Sequence, residues 1–185
     1  MTIAIEFDEY NGWKNYPTWD IFTQVTSYPE TSRHFERLAQ GNEDIRKAVE
    51  ETIDNWRRGR PNSPDVARGI VSDWFMDAVR RVDWAWVHDE LIGRKVIKRE
   101  QHELTVAALQ FIQAYPSQED ILQGETPGAK DTALMQWTEE QLQTWIGSSE
   151  ARKYQTPLTS FAKKILEIYM AVVDWEGLTA AFKEE

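Results

Sequence analysis

The sequence predicts an all-α protein, a compact helical domain of two related lobes, to which a minor two-stranded β element can be added. Three observations predict this fold. Apolar residues recur at three- and four-residue steps through most of the chain, as they do on the buried face of a helix. Nine Trp and a 41% share of hydrophobic residues suffice for a packed core. Segments of the second half of the chain resemble segments of the first.

The β element is predicted at the start of the chain. Ile3, Ile5 and Phe7 alternate with polar residues, which is typical of a short strand, and the turn-like Tyr10-Asn11-Gly12 follows them. A strand needs a partner, and the nearest short apolar run is Val96-Ile97 between lysines. The sequence therefore allows a pairing of the N-terminal residues with residues 94 to 98.

Three helices are predicted before residue 61. Thr18 is expected to cap the first helix, which ends at Pro29, and the second ends before Gly41. The third stops at the basic turn of residues 57 to 61. Their buried faces are predicted from helical spacing to include Trp19, Phe22 and Val25, then Phe35 and Leu38, then Ile45, Val49, Ile53 and Trp56.

Two more helices complete the first half. A fourth begins after Ser63-Pro64, and a fifth runs from about Asp83 to Leu91. The fourth is expected to bury one long apolar face, formed by Val71, Trp74, Phe75, Ala78, Val79 and Val82.

The second half repeats parts of the first. The segment from Val82 to Val87 resembles Val173 to Leu178 at an offset of 91 residues, and the segment from Thr18 to Pro29 resembles Thr105 to Pro116 at an offset of 87. This pattern predicts a duplicated helical unit, with lobes at residues 1–92 and 93–185 packed together. The alternative, that amphipathic helices resemble one another by chance, remains open.

Composition limits the class of protein. There is no Cys, so disulfides, thiolate metal sites and a cysteine nucleophile are impossible. Neither a signal peptide nor an apolar run long enough for a membrane span is present in the sequence, which predicts a cytoplasmic protein without a membrane partner. The formal net charge of −10 repels nucleic acid and favours electropositive partners, although many ordinary proteins are equally acidic.

The segment Gly12-Trp13-Lys14-Asn15-Tyr16-Pro17-Thr18-Trp19 resembles the opening Asn-Tyr-x-Thr-Trp signature of a family of small uncharacterised proteins encoded by phages, plasmids and some bacterial and archaeal genomes. The closing Asp-Trp-x-x-Leu of that family resembles the segments that begin at Asp83 and Asp174. The resemblance implies an accessory factor of a mobile element and brings no enzymatic residues with it. By analogy it suggests inhibitors of host defence, such as anti-CRISPR and antirestriction proteins.

Two sets of residues are candidates for binding. The first, Trp13, Asn15, Tyr16 and Trp19, has the composition of an interface hot spot, and its alternative interpretation is a helix-start motif that stabilises the fold. The second is a set of carboxylates that could stand in for nucleic-acid phosphates, namely Glu43, Asp44, Glu50, Glu51 and Asp54, with Asp8 and Glu9.

Catalytic and metal chemistry has weaker support. Asp83 and Asp174 each precede a Trp where a helix is expected to begin, which favours N-capping over a paired-carboxylate site. Asp73 and Asp77 share a helix face that could hold Mg²⁺, but solvated charges are a far commoner reason for such a pair. The histidines, His34, His88 and His102, match no metal or triad motif. We therefore expect no enzyme, no metal and no cofactor.

Two basic clusters stand out against the acidic background. One consists of Arg57, Arg58 and Arg60, and the other of Arg94, Lys95, Lys98 and Arg99. Either could contact phosphates of DNA or RNA, or could complement the dipole at the end of a helix. Because the net charge is negative, direct nucleic-acid binding is the less favoured interpretation.

These observations lead to a functional hypothesis. The chain is expected to be a non-enzymatic binding protein of phage or mobile-element origin that inhibits a host nucleic-acid-processing complex, of the CRISPR or restriction type, by covering a basic nucleic-acid-binding surface. Two alternatives stay open: an oligomeric structural or assembly protein, which would associate with itself, and a small enzyme with an unrecognised carboxylate or His site.

Overall fold

The computed structural model describes residues 2–60, 64–92, 101–115 and 127–184, and it confirms the all-α class. In this part of the chain the helices, numbered α1 to α10 in order, are Tyr16–Thr26, Pro29–Gln40, Ile45–Arg57, Pro64–Arg81, Trp84–Leu91, Glu103–Gln113, Pro127–Gly147, Ser149–Lys153, Pro157–Val172 and Trp175–Glu184. None of the helices described is both long and apolar enough to cross a lipid bilayer.

A small parallel β pair accompanies the helices. Strand β1 (Thr2–Ile3) pairs with β2 (Gln101–His102), with Thr2 opposite Gln101. Of the predicted strand pattern Ile3, Ile5 and Phe7, only Ile3 lies in the strand, and the partner strand lies just after the expected run. Residues 94 to 98 themselves fall outside the described residues.

Contacts between helices divide the chain into two compact units. The α1 unit consists of Phe7–Trp74 and Glu167–Glu185, and the α6 unit consists of Met1–Glu6 and Phe75–Leu166. Each unit combines two segments that are separated in the sequence. The predicted lobes, 1–92 and 93–185, are defined by sequence similarity and are a different division of the chain; the duplication stays a prediction.

The core of the α1 unit forms where α10 packs against α1, α2 and α3. The ring of Phe182 lies 5.3 Å from that of Phe22 and 5.4 Å from that of Phe35, measured between centroids. The predicted inward-facing residues are buried at Val25, Phe35, Ile45, Val49, Ile53 and Trp56, and half-buried at Trp19, Phe22 and Leu38. Helical periodicity therefore identified most of this core correctly.

The α6 unit has its own aromatic core, where α5 packs on α6 and α7. Phe111 stacks on Phe161 with centroids 5.0 Å apart and planes within 5° of parallel, and Phe75 lies 5.6 Å from Trp145. The indole Nε1 of Trp145 donates a hydrogen bond to Thr159 Oγ1 at 3.1 Å, which satisfies the polar edge of a fully buried ring.

Helix α1 begins earlier than the sequence suggested. Its N-cap is Asn15, whose side chain accepts from the Thr18 amide at 3.0 Å, so Thr18 lies in the first turn and the prediction of Thr18 as the cap was wrong. Asn is as good an N-cap as Thr, and Pro17 fits the first turn because its missing N–H has no partner to lose there.

The predicted N-caps at Asp83 and Asp174 are confirmed. Asp83 accepts from the Trp86 amide at 3.0 Å, and Asp174 accepts from the Gly177 amide at 3.2 Å. These hydrogen bonds satisfy amides that the first turn of a helix leaves without a partner inside the helix.

The same two aspartates make a second, matching pair of contacts. The Asp174 amide donates to Thr18 Oγ1 at 2.8 Å in the α1 unit, and the Asp83 amide donates to Thr105 Oγ1 at 3.0 Å in the α6 unit. Thr18 and Thr105 are equivalent in the sequence comparison of the two halves, as are Asp83 and Asp174. Each bond therefore joins the first helix of one half to the last helix of the other.

Candidate interaction surfaces

A cluster of aromatic rings precedes and opens α1. The segment before α1 forms a tight turn in which Tyr10 and Trp13 exchange both backbone hydrogen bonds, at 3.0 and 2.9 Å. The two central residues, Asn11 and Gly12, have φ of 49° and 80°, the left-handed values that a type I′ turn requires and that Asn-Gly adopts most readily. The turn directs the chain back so that the Tyr10 ring meets the first turn of α1.

Three of these rings contact one another and define the aromatic triad, Tyr10, Tyr16 and Trp19. Tyr10 lies 5.1 Å from Tyr16 and 4.9 Å from Trp19, and the last two rings are 5.8 Å apart. Tyr10 is 39% exposed, and the other two rings are half-buried. The triad thus presents contiguous aromatic surface at one place.

The other predicted aromatic and amide residues of this segment face inward. Trp13 is half-buried with its ring 4.8 Å from Phe22. Asn15 is buried, its Oδ1 also accepts from Thr18 Oγ1 at 2.7 Å, and its Nδ2 donates to the Val172 carbonyl at 2.6 Å. These contacts give Asn15 a role in folding, because they tie the start of α1 to the end of α9.

A groove of about 1240 Å³ runs along α2 and α3 within the α1 unit. Five carboxylates line this α2–α3 groove, against three cations and His34; the carboxylates are Glu30, Glu36, Glu43, Asp44 and Glu51, and the cations are Arg33, Arg37 and Lys47. All of these side chains are exposed except Glu36, which is half-buried. The groove is therefore a polar channel with an excess of negative charge.

Three of the seven carboxylates predicted to mimic phosphates meet in this groove. Glu43 and Asp44 lie at the junction of α2 and α3, where Asp44 also caps α3 by accepting from the Lys47 amide at 3.1 Å. Glu51 lines the α3 wall, 3.9 Å from the Lys47 ammonium. The sequence placed these residues in one set without indicating that they share a groove.

Two more of the predicted carboxylates, Glu50 and Asp54, are neutralised locally. Glu50 pairs with Arg46 at 2.8 Å, and Asp54 pairs with Arg57 at 2.8 Å and with Arg58 at 2.9 Å. Burial raises the pKa of Asp54, but the hydrogen bonds and charges of Arg57 and Arg58 outweigh burial and hold that pKa below its ordinary value. These acids contribute less to an outward negative field than their number suggests.

The first basic cluster forms the end of α3. Gly59 has φ of 71°, its amide donates to the Trp56 carbonyl at 2.9 Å, and the Arg60 amide donates to the Asn55 carbonyl at 2.8 Å, which is a Schellman motif. With Arg57 and Arg58 paired to Asp54, this cluster complements a helix terminus. The second cluster, Arg94, Lys95, Lys98 and Arg99, lies outside the described residues.

The residues considered for catalysis or metal binding are dispersed. Asp73 accepts from Gln24 Nε2 at 2.9 Å, and Asp77 accepts from Arg81 Nε at 2.7 Å. His34 is exposed in the groove, His88 is buried near Asp89, and His102 precedes α6. Over residues 2–60, 64–92, 101–115 and 127–184, no three His, Cys, Asp or Glu side chains group as metal ligands would.

Sequence reasoning missed several residues of these surfaces. Glu30 and Glu36 belong to the groove, and the signal for them was weak because any helix carries exposed acids. Tyr10 belongs to the triad, and the Asn11-Gly12 turn could have revealed it, since a two-residue hairpin brings its flanking residues together.

Comparison with known proteins adds no further assignment. No family model, curated protein or solved structure matches the chain. The resemblance at Asn15 to Trp19 therefore rests on those residues alone.

Proposed function

We propose that the protein is a non-enzymatic binding protein that inhibits a host nucleic-acid-processing complex, of the CRISPR or restriction type, by covering its basic nucleic-acid-binding surface. The single observation that carries this proposal is the α2–α3 groove, with five carboxylates against three cations. A mobile-element origin is supported by the resemblance of Asn15 to Trp19, and action in the cytoplasm by the lack of Cys.

The two arginines of the groove make no ion pair with its acids among the described residues, and the three cations are outnumbered by the five carboxylates. Arg33 and Arg37 turn their Nε atoms to backbone carbonyls within α2, at 3.2 Å each. Lys47 is 3.9 Å from Glu51, and both side chains are largely exposed, so the attraction between them is small. Glu43 and Asp44, adjacent in sequence and exposed, would then face a partner as neighbouring negative charges, as two phosphates do.

The mechanism is steric and electrostatic. A complementary field speeds the encounter of the acidic groove with a basic channel, and occupation of that channel excludes nucleic acid. The net charge of −10 adds to this attraction at low salt and is screened at high salt. Association should therefore slow as the salt concentration rises.

The test is capture of the tagged protein's partner from a host lysate, with and without nuclease, followed by competition with nucleic acid. The groove variant carries Glu43→Gln, Asp44→Asn and Glu51→Gln, and the amide introduced at position 44 keeps a capping oxygen for α3. The control variant carries Glu140→Gln, Glu167→Gln and Glu176→Gln, which removes the same charge from exposed positions outside the groove.

The proposal predicts capture of a nucleic-acid-processing complex that survives nuclease and is displaced by nucleic acid. The groove variant should lose this binding, and the control variant should keep most of it. Equal losses in the two variants, or simultaneous binding of the complex to the protein and to nucleic acid, would contradict the groove as the binding surface. If the tagged protein captures only further copies of itself, an assembly role is favoured instead.

A further inference from the structure

The two halves of the chain offer an internal comparison for the aromatic triad. At the 87-residue offset that aligns Thr18 with Thr105, Glu103 stands where Tyr16 does and Val106 where Trp19 does. Helix α6 nevertheless starts at the matching position and makes the matching Thr105–Asp83 bond. A helix start of this kind therefore folds without aromatic rings at these two positions.

Aromatic residues at these two positions thus occur in the first half of the chain and not in the second. In the second half, Glu103 uses the corresponding position for an ion pair with Lys164, at 3.6 Å. The two helix starts share the Thr and Asp groups, which hold the fold. They differ at the cap, where the buried Asn15 stands against His102, and at the positions of Tyr16 and Trp19, whose rings are half-buried. The cap concerns folding, whereas the two rings are partly accessible and the matching helix start forms without them, so the rings are available for binding.

We propose that the aromatic triad, Tyr10, Tyr16 and Trp19, is a docking site for an arginine side chain of a protein partner. The proposal rests on the proposed function for the nature of that partner, a basic nucleic-acid-binding surface. Aromatic faces carry the negative part of the ring quadrupole, and three partly exposed rings in mutual contact offer a cation more than one such face.

Charge around the triad favours a cation. Asp8 and Glu9 immediately precede Tyr10 and are exposed, and neither forms an ion pair with any residue that the structure describes. Between Asp8 and Trp19 the sequence holds one cation, Lys14. The acids near the triad are thus available, whereas Glu50 and Asp54 on α3 are already paired.

Arginine fits better than lysine for a geometric reason. The guanidinium is planar and weakly hydrated, so it can stack on a ring while its N–H groups reach a carboxylate, whereas the lysine ammonium is a compact, strongly hydrated charge. The chain already contains one contact of this type, in which the Arg46 guanidinium lies 6.0 Å from the Trp175 ring centre.

The experiment compares the affinities of the intact protein for an oligo-arginine and an oligo-lysine peptide of equal length, by calorimetry at physiological salt. The readout is the ratio of the two affinities, because a general attraction to a negative protein acts on both peptides. The first variant, Tyr16→Glu with Trp19→Val, transplants the residues of the second half. The second, Tyr10→Ala, removes the most exposed ring, and Tyr154→Ala is the control at a tyrosine that is 63% exposed.

We expect the wild-type protein to prefer the arginine peptide, and each triad variant to lower the ratio about two- to fivefold, the effect of one exposed cation–π contact. Tyr154→Ala should leave the ratio unchanged. An unchanged ratio in Tyr10→Ala and in the double variant would overturn the proposal. If the double variant does not fold, which circular dichroism reveals, Tyr10→Ala decides alone.

The same titration separates this inference from the proposed function. Neutralising the groove at Glu43, Asp44 and Glu51 should lower the affinity for both peptides and leave the ratio of the two affinities unchanged. If the ratio depends on the triad while the groove variant binds both peptides normally, the arginine site stands and the groove proposal fails. If only the groove variant has an effect, the triad proposal fails.

Discussion

Replacing His102 with Asn is expected to stabilise the protein. Asn15 occupies the equivalent position before α1, where its side chain caps the helix and reaches the Val172 carbonyl. His102 precedes α6 but gives it no side-chain cap, and its Nδ1 atom is buried without a hydrogen-bond partner among the residues described. The variant His102→Asn would give α6 the missing cap and could donate to the carbonyl of Arg81, the counterpart of Val172.

The size of the effect follows from these contacts. An N-cap side chain contributes about 0.5–2 kcal/mol, and one added hydrogen bond about 0.5–1.5 kcal/mol. Loss of the half-buried imidazole removes packing and offsets part of this gain. We expect a net stabilisation of about 1 kcal/mol, which corresponds to a rise in Tm of about 2–4 °C for a chain of this length.

Urea unfolding followed by Trp fluorescence measures this change directly, as a shift in midpoint at constant slope. Asn15→Ala is the matched control: it leaves the Thr18 amide and the Val172 carbonyl without their present partner and should cost about 1–3 kcal/mol. A His102→Asn protein that is no more stable than wild type, beside a destabilised Asn15→Ala, would refute the equivalence of the two helix starts.

Three further predictions concern stability. Thr18→Val and Thr105→Val should each lower the free energy of unfolding by about 1–3 kcal/mol, because each removes the hydroxyl that accepts from an aspartate amide. A urea midpoint that falls in only one of the two variants would contradict the equivalence of the Thr18–Asp174 and Thr105–Asp83 bonds. Gly177→Ala should destabilise the protein in thermal melts, because the new Cβ would lie 2.7 Å from the carboxylate that caps α10. At Gly147 a new Cβ would meet no atom within 4 Å, so Gly147→Ala should leave the stability unchanged or raise it by up to about 1 kcal/mol. Asp54→Asn should lower the free energy of unfolding by less than about 1 kcal/mol at neutral pH, because solvent reaches the ion pairs with Arg57 and Arg58 and screens them. The pKa of Asp54 is lowered in the folded protein, so the stability difference between wild type and Asp54→Asn should vanish as the pH falls from about 3.8 through that folded-state pKa. A stability difference that persists in acid would show that it does not come from the charge of Asp54.

Local features of the fold were predictable from the sequence. The three- and four-residue spacing of Ile45, Val49, Ile53 and Trp56 is enough to place these side chains in a core, and all four are buried. Asp83 and Asp174 were identified as N-caps because a carboxylate before a helix satisfies free amides and suits the helix dipole.

Features that depend on distant residues were not predictable. Asn15 takes the capping position in place of Thr18, and its amide also reaches Val172, which is 157 residues away. The α2–α3 groove likewise depends on how two helices pack, so no local pattern separates Glu43, Asp44 and Glu51 from Glu50 and Asp54. The compensation of the last two by arginines follows from i, i+3 and i, i+4 spacing and could have been recognised.

The composition of the α1 unit has a consequence for biosynthesis. Residues Phe7–Trp74 complete their core only with Glu167–Glu185, which the ribosome adds much later. Until then Phe22 and Phe35 lack the ring of Phe182 against which they pack, and the nascent polypeptide exposes them to chaperones. Because the two segments of this unit lie far apart in the sequence, we expect it to fold largely after synthesis is complete.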